Sequence, residues 1–173
     1  MKLRIDLDGI LLQLNIKDYE PSQQENWDQW CHVDFSFSSE GWLDYHKEND
    51  EVLMSFEVES LAAILKRLLN DEIAEIKEMS CIEPDFNFVF YPKKDLREDP
   101  RYTYVREGFE IVDIRMDWKI SFWHEGLTAN YLSVTLDRND MQILLAYLNC
   151  VMGKLDKRDP LIEELILRGF ILD

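Results

Sequence analysis

A chain of 173 residues with 46% hydrophobic and 12% aromatic content is long and apolar enough to bury one sizeable core without disulfides or metals, which excludes a disordered chain. Nineteen Lys and Arg against thirty-five Asp and Glu leave a formal charge of −16, and the first hundred residues hold −13 of it. Such a field repels phosphate backbones, so nucleic acid and anionic membrane are not expected partners, whereas a basic protein surface is favoured.

The amino terminus, "MKLRIDLDGILLQLNI", carries acidic residues inside its apolar stretch and lacks a small-residue cleavage site, so no signal peptide is expected. No apolar run is long enough to span a bilayer. Three widely spaced cysteines (Cys31, Cys81, Cys150) without a CxxC do not make a secreted disulfide framework, and a cytoplasmic location is expected.

The stretch "NWDQWCHVDFSF", residues 26–37, gathers ligand-type residues: Cys31 beside His32, with Trp27 and Trp30 nearby and Asp28 and Asp34 flanking. Strand alternation disposes of a metal there. Cys31, Val33, Phe35 and Phe37 share one face while His32, Asp34, Ser36 and Ser38 share the other, so Cys31 and His32 cannot close on one ion. His46, His124, Cys81 and Cys150 offer no recognisable ligand spacing.

A turn at Glu40-Gly41 leads to a second strand through Leu43 and Tyr45. "DYHKENDE" is expected to be an acidic turn, after which Val52, Met54, Phe56 and Val58 alternate as a third strand. The period then changes: Leu61, Ile64, Leu65 and Leu68 fall on one helical face. Glu57 and Glu59 near the start of that helix and Lys66 and Arg67 near its end suit the helix dipole.

Phe86, Phe88 and Phe90 alternate in "CIEPDFNFVFYP", and "KKDLREDPRYTYVREG" is expected to be an exposed loop. The longest alternation, Val112 through Ile114, Met116, Trp118, Ile120 and Phe122, predicts one long bent strand or a strand pair. Glu125-Gly126 turns the chain into a strand over Tyr131–Leu136. Asp137, with Asp140 three residues on, then caps a second helix whose stripe is Met141, Leu144, Leu145 and Leu148, stopping at Gly153.

The two stripes match at an offset of 80 residues, as do strands 31–38 and 111–118. Either a degenerate duplication or common α+β grammar accounts for this. Asp159-Pro160 opens a short last helix in which Leu161, Leu165 and Ile166 could dock on the body, or serve as an oligomer or partner contact. The expected fold is therefore α+β: curved antiparallel β-sheet or sheets, two main amphipathic helices and a short C-terminal helix. It forms one domain over 1–173, with pseudo-halves near 26–70 and 106–152 and a tail over 156–173.

Searching for chemistry yields nothing that converges. There is no GxGxxG, GxxxxGK or GxSxG, and three scattered histidines propose no nucleophile–base pair. No catalytic residue, cofactor or metal is assigned. Trp118 belongs to an apolar strand face, whereas Trp42 lies opposite Leu43 and Tyr45, as Trp30 lies opposite Cys31. Exposed aromatics beside acids suit a binding surface; covering the second face of a sheet accounts for them equally well.

Four stretches resemble the WapI-type immunity proteins, small bacterial proteins paired with contact-dependent wall-associated toxins. "WDQW" before an alternating strand is similar to the family's Asp-x-Asn-Trp opening, and "FEVESLAAILKRL" to its strand-into-helix segment. "CIEPDFNFVF" is similar to its Glu-Pro strand, and "YLSVTLDRNDMQILLAYL" to its closing strand and helix. The chain departs from the pattern at Gln29, at a Trp-rich strand reduced to Trp42, and in the extra segment from Asp156. The resemblance implies neutralisation in the cytoplasm of a cognate toxin domain, such as a nuclease, by stoichiometric binding without catalysis. A general interaction or regulatory module is the alternative reading. The surface assigned to the partner is Trp42, Asp44, Glu48, Asp50 and Glu51, acidic groups suited to a basic groove.

Overall fold

The computed structural model describes residues 1–23 and 29–172, so Trp27 and Asp28 lie outside the described residues. The chain opens with a hairpin, β1 (Lys2–Leu7) and β2 (Ile10–Lys17), followed by β3 (Trp30–Ser39) and β4 (Leu43–Met54). Helix α1 (Ser55–Leu69) leaves β4 without a linker. Next come β5 (Lys77–Ser80), β6 (Phe86–Tyr91), the two-residue strands β7 (Lys94–Asp95) and β8 (Ile111–Val112), and the long pair β9 (Arg115–Trp123) and β10 (Leu127–Leu136). Helices α2 (Arg138–Val151) and α3 (Pro160–Leu167) and a last strand, β11 (Ile171–Leu172), complete it.

All described pairings are antiparallel, and the fold is α+β as expected. One sheet has the order β11-β1-β2-β3-β4, a second β10-β9-β6-β5, and β7 pairs with β8 alone. The β3 alternation holds: Cys31, Val33, Phe35 and Phe37 are buried, and His32 lies on the other face. The buried residues form one contiguous cluster to which both large sheets and all three helices contribute.

Aromatic rings join the sheets. Phe35 meets Phe86 at 4.9 Å and Phe37 meets Trp118 at 5.8 Å, while Trp118 also lies 4.9 Å from Phe86 and 5.2 Å from Phe88. Most of these contacts are edge-on, the geometry the ring quadrupole favours. Trp118 is 1% exposed and its indole N–H has no acceptor among the described residues. Pairing of β1 with β2 stops at Leu3–Leu14, and beyond it the Ile16 N–H donates to the buried Tyr147 hydroxyl of α2 at 2.8 Å. A side chain there replaces a missing strand.

The second helix is as expected at its start. Asp137 accepts from the Asp140 N–H at 2.9 Å, and Asp140 accepts in return from the Asp137 N–H. This reciprocal pair satisfies two donors that the first turn would otherwise leave open. Met141, Leu144 and Leu148 are buried and Leu145 is half-buried, with Ile143 and Tyr147 completing the inner face.

Three expectations need correction. The stretch "DYHKENDE" is not a turn but the body of β4, and the strand does not continue through Phe56 and Val58, which lie in α1. The helix starts early because its N-terminus is capped from within: the Glu57 carboxylate accepts the Met54 N–H at 2.8 Å. The boundaries also depart from the 80-residue offset of the stripes, since the two hairpins run into helices at Ser55 and Arg138. In the tail, Ile162, Leu165 and Ile171 are buried, whereas Leu161 points largely to solvent.

A polar junction ties β4 to the second sheet. Lys47 points inward and its Nζ lies 2.8 Å from both Asp85 and Asp50 and 4.7 Å from the Trp123 ring centre. Asp85, 3% exposed at its side chain, sits in the turn before β6, and its backbone carbonyl accepts the Ser121 N–H at 2.9 Å. Glu57 holds the same turn by accepting the Ile82 N–H at 2.7 Å. Burial pushes the Asp85 carboxyl up, against the pull of Lys47. For Lys47 burial acts downward, and the two carboxylates outweigh it, raising its pKa.

Trp118→Ala should cost about 3–5 kcal/mol in urea denaturation. Trp118→Phe, which keeps a ring and removes the unpartnered N–H, should cost about 1–2 kcal/mol. Lys47→Met alone should cost about 3–5 kcal/mol by stranding Asp85, and adding Asp85→Leu should recover most of it. Equal losses in the single and double variants would show that the pair does not hold the junction.

Candidate partner-binding surface

Strand β4 is one edge of the five-stranded sheet, paired among the described residues only with β3. The turn into it, Glu40 to Trp42, passes through Gly41 at φ 82, a left-handed conformation that a side chain would strain. Trp42 follows directly and is 66% exposed. Alternation then sends Asp44, His46 and Glu48 outward, exposed to solvent, and Leu43, Tyr45 and Lys47 inward.

The alternation breaks at Asn49, which adopts φ 52, and the register against β3 shifts between Val33 and Phe35 and again between Cys31 and His32. This irregularity bends the edge and separates the five expected partner-binding residues into two groups. Trp42, Asp44 and Glu48 form a row on one stretch of the strand. Asp50 turns back to Lys47, and Glu51 stays exposed with one oxygen 4.0 Å from His32 Nε2.

Behind the row, the outer face of the sheet is small and polar. Asp34 on β3 is its hub: it accepts from Lys17 Nζ at 2.7 Å, from Asn15 Nδ2 at 3.0 Å and from the Asn49 N–H at 2.8 Å. Partial burial acts upward on the Asp34 carboxyl, but these donors outweigh it and hold the group below the usual carboxylate range. His32 Nδ1 lies 2.9 Å from Asp18, and His46 Nδ1 lies 3.5 Å from Asp44. The Lys17–Asp34–Asn49 contacts fix the bulge from outside as Lys47 fixes it from inside. Sequence reasoning missed both anchors, because they join residues far apart in the chain.

Two shallow hollows flank the row. One, of about 810 Å³ and open to solvent, lies between the β1–β2 and β3–β4 turns and is lined by Gly9, Leu11, Ser38, Trp42 and Asp44. The other, of about 310 Å³, is lined by Gln13, Ser36, Asp44, His46 and Glu48. Carboxylates spaced along an edge can accept from Lys and Arg side chains, and an exposed indole can receive an aliphatic stem or the cation itself. Among the described residues, no three His, Cys, Asp or Glu are arranged to hold a metal ion, and no helix is long and apolar enough to cross a membrane.

Residues 2–156 match the Immunity protein WapI-like family, and the chain belongs to it. The match takes in the elements from β1 to α2 and stops before α3 and β11. No curated protein matches the chain.

Proposed function

We propose that this member of the WapI-like immunity family neutralises a cognate toxin domain by binding it stoichiometrically in the cytoplasm, without catalysing a reaction. The observation that carries the reading is the exposed Trp42 at the head of an acidic, well-anchored edge strand. A toxin that cleaves nucleic acid must hold its phosphate backbone in a basic groove, and a row of carboxylates competes for that groove. We therefore take the toxin to be a nuclease.

Within this reading each residue has a distinct role. Asp44 and Glu48 face cations of the groove and speed encounter, Glu51 extends the same field, and Trp42 supplies the desolvated anchor. Asp50, occupied by Lys47, contributes charge but keeps the strand in shape. From Trp42 to Glu51 an extended strand covers about 30 Å, long enough to lie along a groove.

The test is co-expression with a candidate cognate toxin domain, with association followed by stopped flow or surface plasmon resonance. Host growth should be rescued and a stable one-to-one complex should form. Asp44→Lys with Glu48→Lys should slow association by about tenfold and flatten its dependence on salt. Trp42→Ala should weaken the complex by about 2 kcal/mol, chiefly through faster dissociation. Unchanged neutralisation and kinetics in both variants would refute this surface, and rescue without a complex would refute neutralisation by binding.

A further inference from the structure

Between β6 and β9 the chain leaves the sheet over residues 92–112, and this excursion differs from the rest of the surface in charge and in rings. It carries five basic and five acidic side chains in a protein of charge −16. Its shape is held internally: the buried Asp99 takes both Lys94 and Arg101, Asp95 caps a short 3-10 turn over Leu96–Glu98 and pairs with Arg97, and β7 bonds to β8. The Arg101 guanidinium and the other hydrogen-bond partners hold the Asp99 carboxyl well below its usual range. On this frame the large side chains face water: Tyr104 is 79% exposed and Phe109 61%, with Tyr102 and Ile111 about half exposed, and Ile76, before β5, is 62% exposed.

At the foot of the excursion lies a pocket of about 590 Å³ lined by Lys93, Lys94, Arg101, Arg115, Tyr91 and Tyr102, among others. Its cations exceed the carboxylates beside them. Lys94 and Arg101 share the single Asp99, and the lining Asp113 is paired with Arg138. Among the described residues, neither Lys93 nor Arg115 forms an ion pair with a carboxylate, and the Arg115 guanidinium carbon lies 4.3 Å from the centre of the Tyr91 ring. A guanidinium held against a ring in this way is pre-oriented for a carboxylate at little entropic cost.

The pocket is distinct from the acidic strand. It forms where β6 ends and β9 begins, whereas β4 meets the far end of β9 through Tyr45, whose ring lies 4.8 Å from Phe122. Nine residues of extended strand place the two about 27 Å apart.

We propose that this basic, ring-rimmed pocket is a docking site for an acidic segment of a protein partner. Carboxylates of the segment meet Lys93 and Arg115, and an aliphatic or aromatic side chain packs on Tyr102 and Ile76, which line the same pocket. Charge complementarity at the pocket selects the acid, and its exposed apolar lining selects a protein, because a small anion would leave Tyr102 and Ile76 in water. Tyr and Arg are also the residue types enriched at such contacts. The inference stands apart from the toxin reading, since it concerns a surface of opposite sign and is tested without a toxin.

The test measures fluorescence anisotropy of a labelled peptide alternating Glu with Phe and Leu, titrated with the full chain at low salt. The acidic peptide should bind, and its counterpart with Lys in place of Glu should not. Lys93→Glu with Arg115→Glu should weaken binding by about tenfold or more, as should Tyr102→Ala with Ile76→Ala. Lys93→Glu alone, at an exposed position outside the Arg115–Tyr91 contact, should weaken it measurably and guards against misfolding of the double variant. No binding at millimolar protein, or binding that none of these variants alters, would overturn the proposal. So would displacement of the peptide by inorganic phosphate or a short single-stranded DNA at equal concentration. Self-association in sedimentation that Lys93→Glu abolishes would reassign the pocket to a second copy of the chain.

Discussion

Two buried carboxylates, Asp85 and Glu57, hold the turn between β5 and β6, and the placement of one sheet on the other depends on them. Each would be costly if left unpaired. Asp85 is answered by Lys47 from β4, and Glu57 by two backbone N–H groups, of Met54 and Ile82. Burial pushes both carboxyls up, so the ion pair of Asp85 with Lys47 and the hydrogen bonds to Glu57 also decide where the strands must lie. The sequence "CIEPD" thus acts as a joint. It receives the end of β4 and the start of α1 on one side and continues into the Phe-rich β6 on the other.

The same joint resolves a problem of the exposed edge. A strand of twelve residues at the margin of a sheet invites pairing with other chains. Here an inward-pointing lysine, a bulge at Asn49 and a row of outward acids all discourage that pairing, while Lys47 and Asp34 anchor the strand on either side of the bulge. At the other margin, β11 pairs with β1 and the Arg4 N–H donates to the Phe170 carbonyl at 2.7 Å. The segment outside the family match therefore covers the opposite edge of the sheet and leaves β4 as its open side.

Local patterning was legible wherever one face is simply apolar. Alternation placed Cys31 inside and His32 outside, three phenylalanines marked β6, and Asp137 with Asp140 marked the start of α2. It failed where tertiary contacts override the local signal. In β4 an inward Lys47 stands where an apolar residue would complete the alternation, so an acidic strand resembled a turn. Phe56 and Val58 prolonged the apparent strand into α1, because the cap that starts the helix is the buried Glu57 rather than a polar residue at position 54. The excursion over 92–112 was legible only as exposed, since its order comes from ion pairs and two short strands. Of the expected partner-binding residues, Trp42, Asp44 and Glu48 share one exposed row, while the engagement of Asp50 by Lys47 depends on a bulge that no periodicity announces.

In the proposed function, recognition runs through β4. The most direct measurement is hydrogen–deuterium exchange of the full chain, free and bound to the toxin domain that it neutralises in co-expression. Slowed exchange across residues 42–51, with the interior strands β2 and β6 unchanged, is the predicted result. Protection confined to other surfaces, with β4 exchanging in the complex as it does alone, would contradict it.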